Sequence, residues 1–173
     1  MRRARPLRSL LLGASLWAST LPAAAQELAD VTRPCRRADL IGAWVVIRLG
    51  AAPGARVDRS DPAFYPHQEY VFYKNATVRH VASQTRITDA DHRALLSAAP
   101  DGTWAVDGEG SLLLQRAGQT SLERSACLVL LKEVVEPKTH LRSLRGDILL
   151  TNADGATQPR YRSQLRKLRG PGE

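Results

Sequence analysis

From residue 40 onward, short runs in which apolar and polar residues alternate are separated by clusters of turn-forming residues. Leu40 to Leu49 is apolar at nearly every position, with Arg48 its single charge. That pattern suits a barrel strand or one covered on both sides. Gly50 to His67 is rich in Pro and Gly and long for a connection in a compact domain, which suits either a lid or a mobile loop. Glu69 to Lys74 and Ala76 to Ser83 read as a hairpin turning near Lys74-Asn75, with Tyr70, Phe72 and Tyr73 supplying β-forming character. Thr88 to Ala99 predicts a helix. Thr88 caps it, Asp89 and Asp91 favour the positive end of its dipole, and Pro100 and Gly102 stop it.

After the helix the period returns to two. Thr103 to Asp107 and Ser111 to Arg116 flank Gly108-Glu109-Gly110, and Leu122 to Glu133 follows. Asp147 to Asn152 and Gln158 to Arg166 flank Asp154-Gly155. About eight strands joined by neighbouring turns, with one short helix, predict a mainly β, antiparallel up-and-down barrel, because closure removes exposed edges. The domain is expected over residues 39–168, between an N-terminal segment (26–38) and a short tail (169–173).

Residues 1–25 carry a different pattern. Arg2, Arg3, Arg5 and Arg8 precede the apolar stretch Leu10 to Leu21, which ends in Ala23-Ala24-Ala25. A basic start, a short apolar stretch and small residues form a signal peptide, with cleavage expected before Gln26. The stretch is too short to cross ~30 Å of hydrocarbon, and no later segment is long enough, so no stable membrane insertion is expected. The protein is therefore expected to be exported, to the periplasm or beyond.

Export governs the two cysteines, Cys35 and Cys127. In an oxidising compartment they most simply pair with each other, and closing so long a loop stabilises the fold by about 4–5 kcal/mol less any strain. A buried thiol or a metal ligand pair are the alternatives, and no Cys-x-x-Cys or His cluster supports the second. The formal charge of +8 overstates the basicity, since four arginines lie in the leader. The remaining excess of about four is a solubility-level charge and gives no nucleic-acid footprint.

Several motifs resemble those of the lipocalin-like, or calycin, β-barrels. Gly42-Ala43-Trp44 matches their Gly-x-Trp, and Gly102-Thr103-Trp104, followed by Val106, Gly110 and Leu112-Leu113-Leu114, is similar to the middle hairpin of small bacterial members. Tyr70-Val71-Phe72 before Asn75 fits the earlier hairpin. The resemblance implies that Trp44 closes the barrel floor, that Gly42 permits a close approach, and that an arginine of the last strand (Arg160, Arg162 or Arg166) packs over the tryptophan.

Catalytic signatures are missing: there is no Gly-x-Ser-x-Gly, no His-Glu-x-x-His and no phosphate-binding Gly loop. His67, His80, His92 and His140 are scattered without metal-ligand spacing, so no metal, cofactor or catalytic residue is expected. Asp147 is expected in a structural ion pair with an arginine. Asn75-Ala76-Thr77 is a glycosylation acceptor pattern, meaningful only in a eukaryotic chain.

Trp44, Tyr70, Phe72, Trp104 and Tyr161 fall on separate strands. On a shared inner face they either line a mostly apolar ligand pocket or fill an eight-stranded barrel solidly. The first arrangement predicts a non-catalytic protein binding a small apolar or amphipathic molecule. The second predicts a filled barrel serving as a protein-interaction or inhibitor module, with the Gly50–His67 loop and the basic last strand as contact surfaces. N-terminal sequencing of the exported protein is expected to begin at Gln26; a retained Arg-rich leader on exported protein would overturn the compartment argument.

Overall fold

The computed structural model describes residues 30–51, 55, 57–137, 139–154 and 158–168. The leader lies outside these residues. Among the described residues there are eleven strands: β1 (Thr32–Pro34), β2 (Gly42–Ala51), β3 (His67–Phe72), β4 (Thr77–Ser83), β5 (Gly102–Val106), β6 (Leu112–Arg116), β7 (Leu122–Leu130), β8 (Val134–Val135), β9 (Arg142–Ser143), β10 (Ile148–Asp154) and β11 (Gln158–Lys167). Two helices lie wholly within the described residues, the single turn α1 (Arg37–Leu40) and α2 (Asp89–Ser97).

The meander β2-β3-β4-β5-β6-β7-β10-β11 closes into an eight-stranded antiparallel barrel, each strand hydrogen-bonded to its neighbour and β11 returning to β2. The strands anticipated from alternation are all present, with ends shifted by a few residues. Leu122 to Glu133 stops at Leu130, where the chain turns away. The additions are short. β1 joins the edge of β7, α1 sits below the barrel, and β8 and β9 form a separate hairpin. Elements of two to four residues are too short to carry a period.

Strand register stacks the interior in rows. Val129, Ile148, Leu165 and Val46 form a low row; Cys127, Leu150, Ser163 and Leu49 lie above it, and Ser125, Asn152, Tyr161 and Ala51 above those. Across the barrel, Phe72 pairs with Val78, and Tyr70 stands between Trp44 and His80. The lower rows belong to one hydrophobic core that also takes in Leu40, Trp104 and Leu112.

The floor is built by the Gly-x-Trp motif. The Trp44 indole N–H donates to the Leu40 carbonyl of α1 at 2.7 Å, so the ring closes the barrel with its one polar atom satisfied. Gly42 has φ +125°, and a Cβ there would lie 2.9 Å from Cε of Lys167. The residue in register with Trp44 on the last strand is Lys167, in place of the expected arginine. Arg166 faces outward to Asp147 at 2.7 Å, Arg162 is exposed on the outer face, and the Arg160 side chain lies outside the described residues. The arginine that covers a tryptophan comes from α1: the Arg37 guanidinium lies 4.8 Å above the Trp104 ring.

Cys35 and Cys127 form a disulfide spanning 92 residues, with Cα atoms 5.4 Å apart. Thr88 caps α2 as expected: its hydroxyl accepts from the Asp91 N–H, and the Asp91 carboxylate accepts from the Thr88 N–H. The helix lies against the outside of β4, and His92 on it meets Glu69 at 2.7 Å.

Trp44→Ala is expected to cost about 3–5 kcal/mol, by leaving a cavity in the floor. Gly42→Val destabilises for a separate reason, since it forces a branched side chain onto positive φ, while the end of the Lys167 side chain can move aside. Denaturant midpoints measured with the disulfide intact check both, and unchanged midpoints would remove the floor from its structural role.

Candidate functional site

The aromatic residues anticipated as a ligand pocket divide between two levels. Trp44, Phe72 and Trp104 are almost fully buried in the lower core; the Phe72 and Trp104 rings meet edge-on at 5.3 Å, and the Trp104 N–H donates to the Tyr73 carbonyl at 3.1 Å. They pack as a solid floor. Tyr70 stacks over Phe72 at 5.8 Å and over His80 at 4.1 Å, which marks the boundary with the upper interior. Tyr161 lies on the far wall, in edge contact with Phe64 at 5.9 Å.

Above that boundary the inner face becomes polar. On the side formed by β3, β4 and β6, one connected network holds the polar groups. The Glu123 carboxylate accepts from Arg116 Nε at 2.9 Å, and Arg116 Nη1 approaches His80 Nδ1 at 3.4 Å. His80 Nε2 lies 3.2 Å from Gln68 Oε1, which also accepts from the Tyr70 hydroxyl at 3.2 Å. The Gln68 amide nitrogen donates to the carbonyls of Ala63 (3.1 Å) and Tyr65 (2.9 Å). These contacts assign the imidazole protons. Gln68 Oε1 can only accept and the guanidinium can only donate, so His80 is neutral, with hydrogen on Nε2 and a lone pair at Nδ1.

The electrostatics agree. Desolvation, followed by the nearby positive charge of Arg116, lowers the His80 pKa to about 3. Desolvation works against the Arg116 charge, but the Glu123 hydrogen bond and charge outweigh it and leave Arg116 above its ordinary value. Burial raises the Tyr70 phenol, so it stays protonated and serves as a donor.

The network also holds the end of the Gly50–His67 connection. Residues Pro62–Phe64 form a 3₁₀ turn capped by Asp61, whose carboxylate accepts from the Ala63 N–H at 2.9 Å. Gln68 binds its carbonyls from below, which brings Phe64 against Tyr161. The described part of the connection is thus a pinned cover, while residues 52–54 and 56 lie outside the described residues.

The opposite wall differs. Ser125, Asn152 and Ser163 are buried on the inner faces of β7, β10 and β11; Asn152 is only 5% exposed. Their register makes them one contiguous patch. No side-chain hydrogen bond joins any of the three to another described residue, but Arg79 Nε is the single fully buried side-chain nitrogen or oxygen without a partner among the described residues, so their own polar atoms keep some solvent contact. A small cavity of about 10 Å³ against Tyr70, Val78, His80 and Leu114 matches a single water. Among the described residues no group of three or more His, Cys, Asp or Glu side chains could hold a metal ion.

Sequence reasoning put Tyr70 and Tyr161 on one inner face with Trp44, Phe72 and Trp104, without separating levels, and missed Ser125, Asn152, Ser163, Arg116 and Glu123. The available signal was phase: Asn152 is in step with Ile148 and Leu150, and Ser163 with Leu165. No protein family, curated protein or solved structure matches the chain.

The His80 assignment has a pH signature. The folded state holds the ring neutral down to about pH 3, whereas the unfolded ring takes a proton near 6.5. The stability that this ring contributes is complete above pH 6.5 and is lost as pH falls toward 3. Denaturant midpoints are expected to fall more steeply over that window in the parent than in His80→Gln, and the His80 ring NMR shifts should stay constant to about pH 4. A His80 ring that titrates near pH 6.5 would refute the assigned tautomer.

Proposed function

We propose that this chain is an exported, lipocalin-like barrel that binds a small amphipathic molecule in its upper interior without performing chemistry on it. The observation that carries this reading is the patch of Ser125, Asn152 and Ser163, buried on one inner wall with no side-chain partner among the described residues. The polar atoms of the patch keep solvent contact, so water meets them in the empty barrel and a guest with matching polar groups would take that water's place. The opposite wall has its donors and acceptors committed to the Glu123–Arg116–His80–Gln68 network, which makes it a rigid surface. A guest would place its polar group against Asn152 and its apolar body over Tyr70 and the aromatic floor. The Gly-x-Trp floor and the meander order support the calycin resemblance.

A second reading rests on a different observation. On the outer face of β2, β7, β10 and β11, Ala126, Leu128 and Leu149 form an apolar groove of about 570 Å³ beside Arg48 and Arg162. Such a groove, on a barrel whose floor is solidly packed, supports an interaction or inhibitor module in the envelope.

Native mass spectrometry of the protein purified from its own compartment separates the two. A co-purifying small molecule is expected, and Asn152→Leu should abolish it. The same substitution is expected to leave the denaturant midpoint near the parent value, because the amide it removes makes no hydrogen bond to another described residue and leucine has a similar volume. If fatty acids, quinones and aromatic probes leave melting temperature and tryptophan fluorescence unchanged, and a protein partner co-purifies instead, the interaction module is the correct reading.

A further inference from the structure

Below the packed floor, α1, the end of β7, the turn before β10 and the end of β11 enclose a cleft of about 600 Å³. Two carboxylates reach it, and both are committed. Asp39 accepts two hydrogen bonds from Arg33, each at 2.7 Å, and a third from the Arg36 N–H at 2.7 Å. Asp147 accepts from Gln164 Nε2 (2.7 Å), Arg166 Nη2 (2.7 Å) and the Leu144 N–H (2.8 Å). Two cations lining the same cleft, Arg145 and Lys167, have no hydrogen-bond or ion-pair partner among the described residues.

The position of Lys167 follows from the floor motif. It stands in register with Trp44, and its Cε passes where a Cβ on residue 42 would be. The missing side chain at Gly42 therefore lets the lysine stem run beside the barrel's end. Leu131, which is 43% exposed, and the half-buried Leu144 supply apolar surface in the same cleft.

We propose that this cleft binds a small organic oxyanion, a carboxylate or phosphate monoester carried on a compact apolar body. With Asp39 and Asp147 neutralised by Arg33 and Arg166, the free ammonium and guanidinium set the local field. Both groups only donate, and the guanidinium fork matches a two-oxygen acceptor. An oxyanion head meets both cations while its body covers the apolar wall. The site is separate from the interior one: the Trp44–Phe72–Trp104 layer lies between them, and neither depends on the other.

Isothermal titration of the oxidised protein with octyl phosphate, and with octanol as its neutral counterpart, tests this. Saturable binding of octyl phosphate is expected, with octanol weaker by at least about tenfold, the effect of losing one charged hydrogen bond. Arg145→Gln with Lys167→Gln should weaken octyl phosphate by about tenfold or more and leave the denaturant midpoint unchanged. Asn152→Leu and Arg162→Gln, at the interior and outer faces, should leave the affinity as it is. Equal affinity for octanol, unaltered affinity in the double variant, or no saturable binding would overturn the proposal. Sedimentation with phosphatidylglycerol vesicles distinguishes the sources. Co-sedimentation lost in the double variant assigns the anion to a lipid headgroup; octyl phosphate binding without co-sedimentation assigns it to a free amphiphile.

Discussion

The barrel depends on a handover along one edge of β7. Residues Leu122–Ser125 pair with β6, which closes the barrel, and residues Leu128–Leu130 pair with β1. Neither strand covers the whole edge. Between the two stretches lies Cys127, whose sulfur bonds Cys35 and whose carbonyl accepts from the Cys35 N–H at 3.0 Å. The disulfide therefore fastens the point where one edge partner ends and the next begins. Without β1 the lower half of that edge would present unpaired backbone groups, the feature that makes open sheets prone to pairing with other chains. Gly110 makes the handover possible: its φ is +83°, and a Cβ would lie 2.5 Å from Pro34, so the N-terminal segment packs directly on the β5–β6 turn.

From that seam the floor follows. The chain leaving Cys35 forms α1, which offers the Leu40 carbonyl to Trp44 and lays Arg37 over Trp104. Arg33 binds Asp39 across the same turn and holds that carboxylate below its ordinary pKa. A polar scaffold of a few residues thus orients two buried tryptophans, and the core packs down onto them.

Much of this was legible in the sequence, because the barrel strands are long enough for a period of two to show. The capped helix rests on a local signal that tertiary structure had no reason to override, whereas the disulfide followed from there being two cysteines alone and the tryptophan floor from a motif resemblance. The identity of the floor's basic residue was not legible. Lys167 differs from the neighbouring Arg166 only in phase, and the bulge between Gln164 and Leu165 shifts register against β2 just before both. The polar upper interior was hidden for a related reason. On β10 both faces are mixed, with Ile148, Leu150 and Asn152 on one and Leu149 and Thr151 on the other, so polarity alone assigns Asn152 to solvent. Its phase with Ile148 and Leu150 is the one sequence signal that points it inward, and the register between Ser125 and Tyr161 places it there.

The two walls of that interior differ in what they can do. The Glu123–Arg116–His80–Gln68 chain satisfies its members in series, and its last link is the backbone of the cover, through Ala63 and Tyr65. A proton on His80 would repel Arg116 and take away the acceptor at Nδ1. The cover is thus coupled to a ring held neutral by desolvation and by the charge beside it. The wall of Ser125, Asn152 and Ser163 has no such chain among the described residues, and its polar atoms keep some solvent contact. In the proposed reading, a barrel that is solid below, committed on one wall and uncommitted on the other would restrict a guest to one orientation, with its polar end toward Asn152. The proposed specificity then comes from hydrogen-bond geometry on the uncommitted wall, because the aromatic floor offers any apolar body much the same surface.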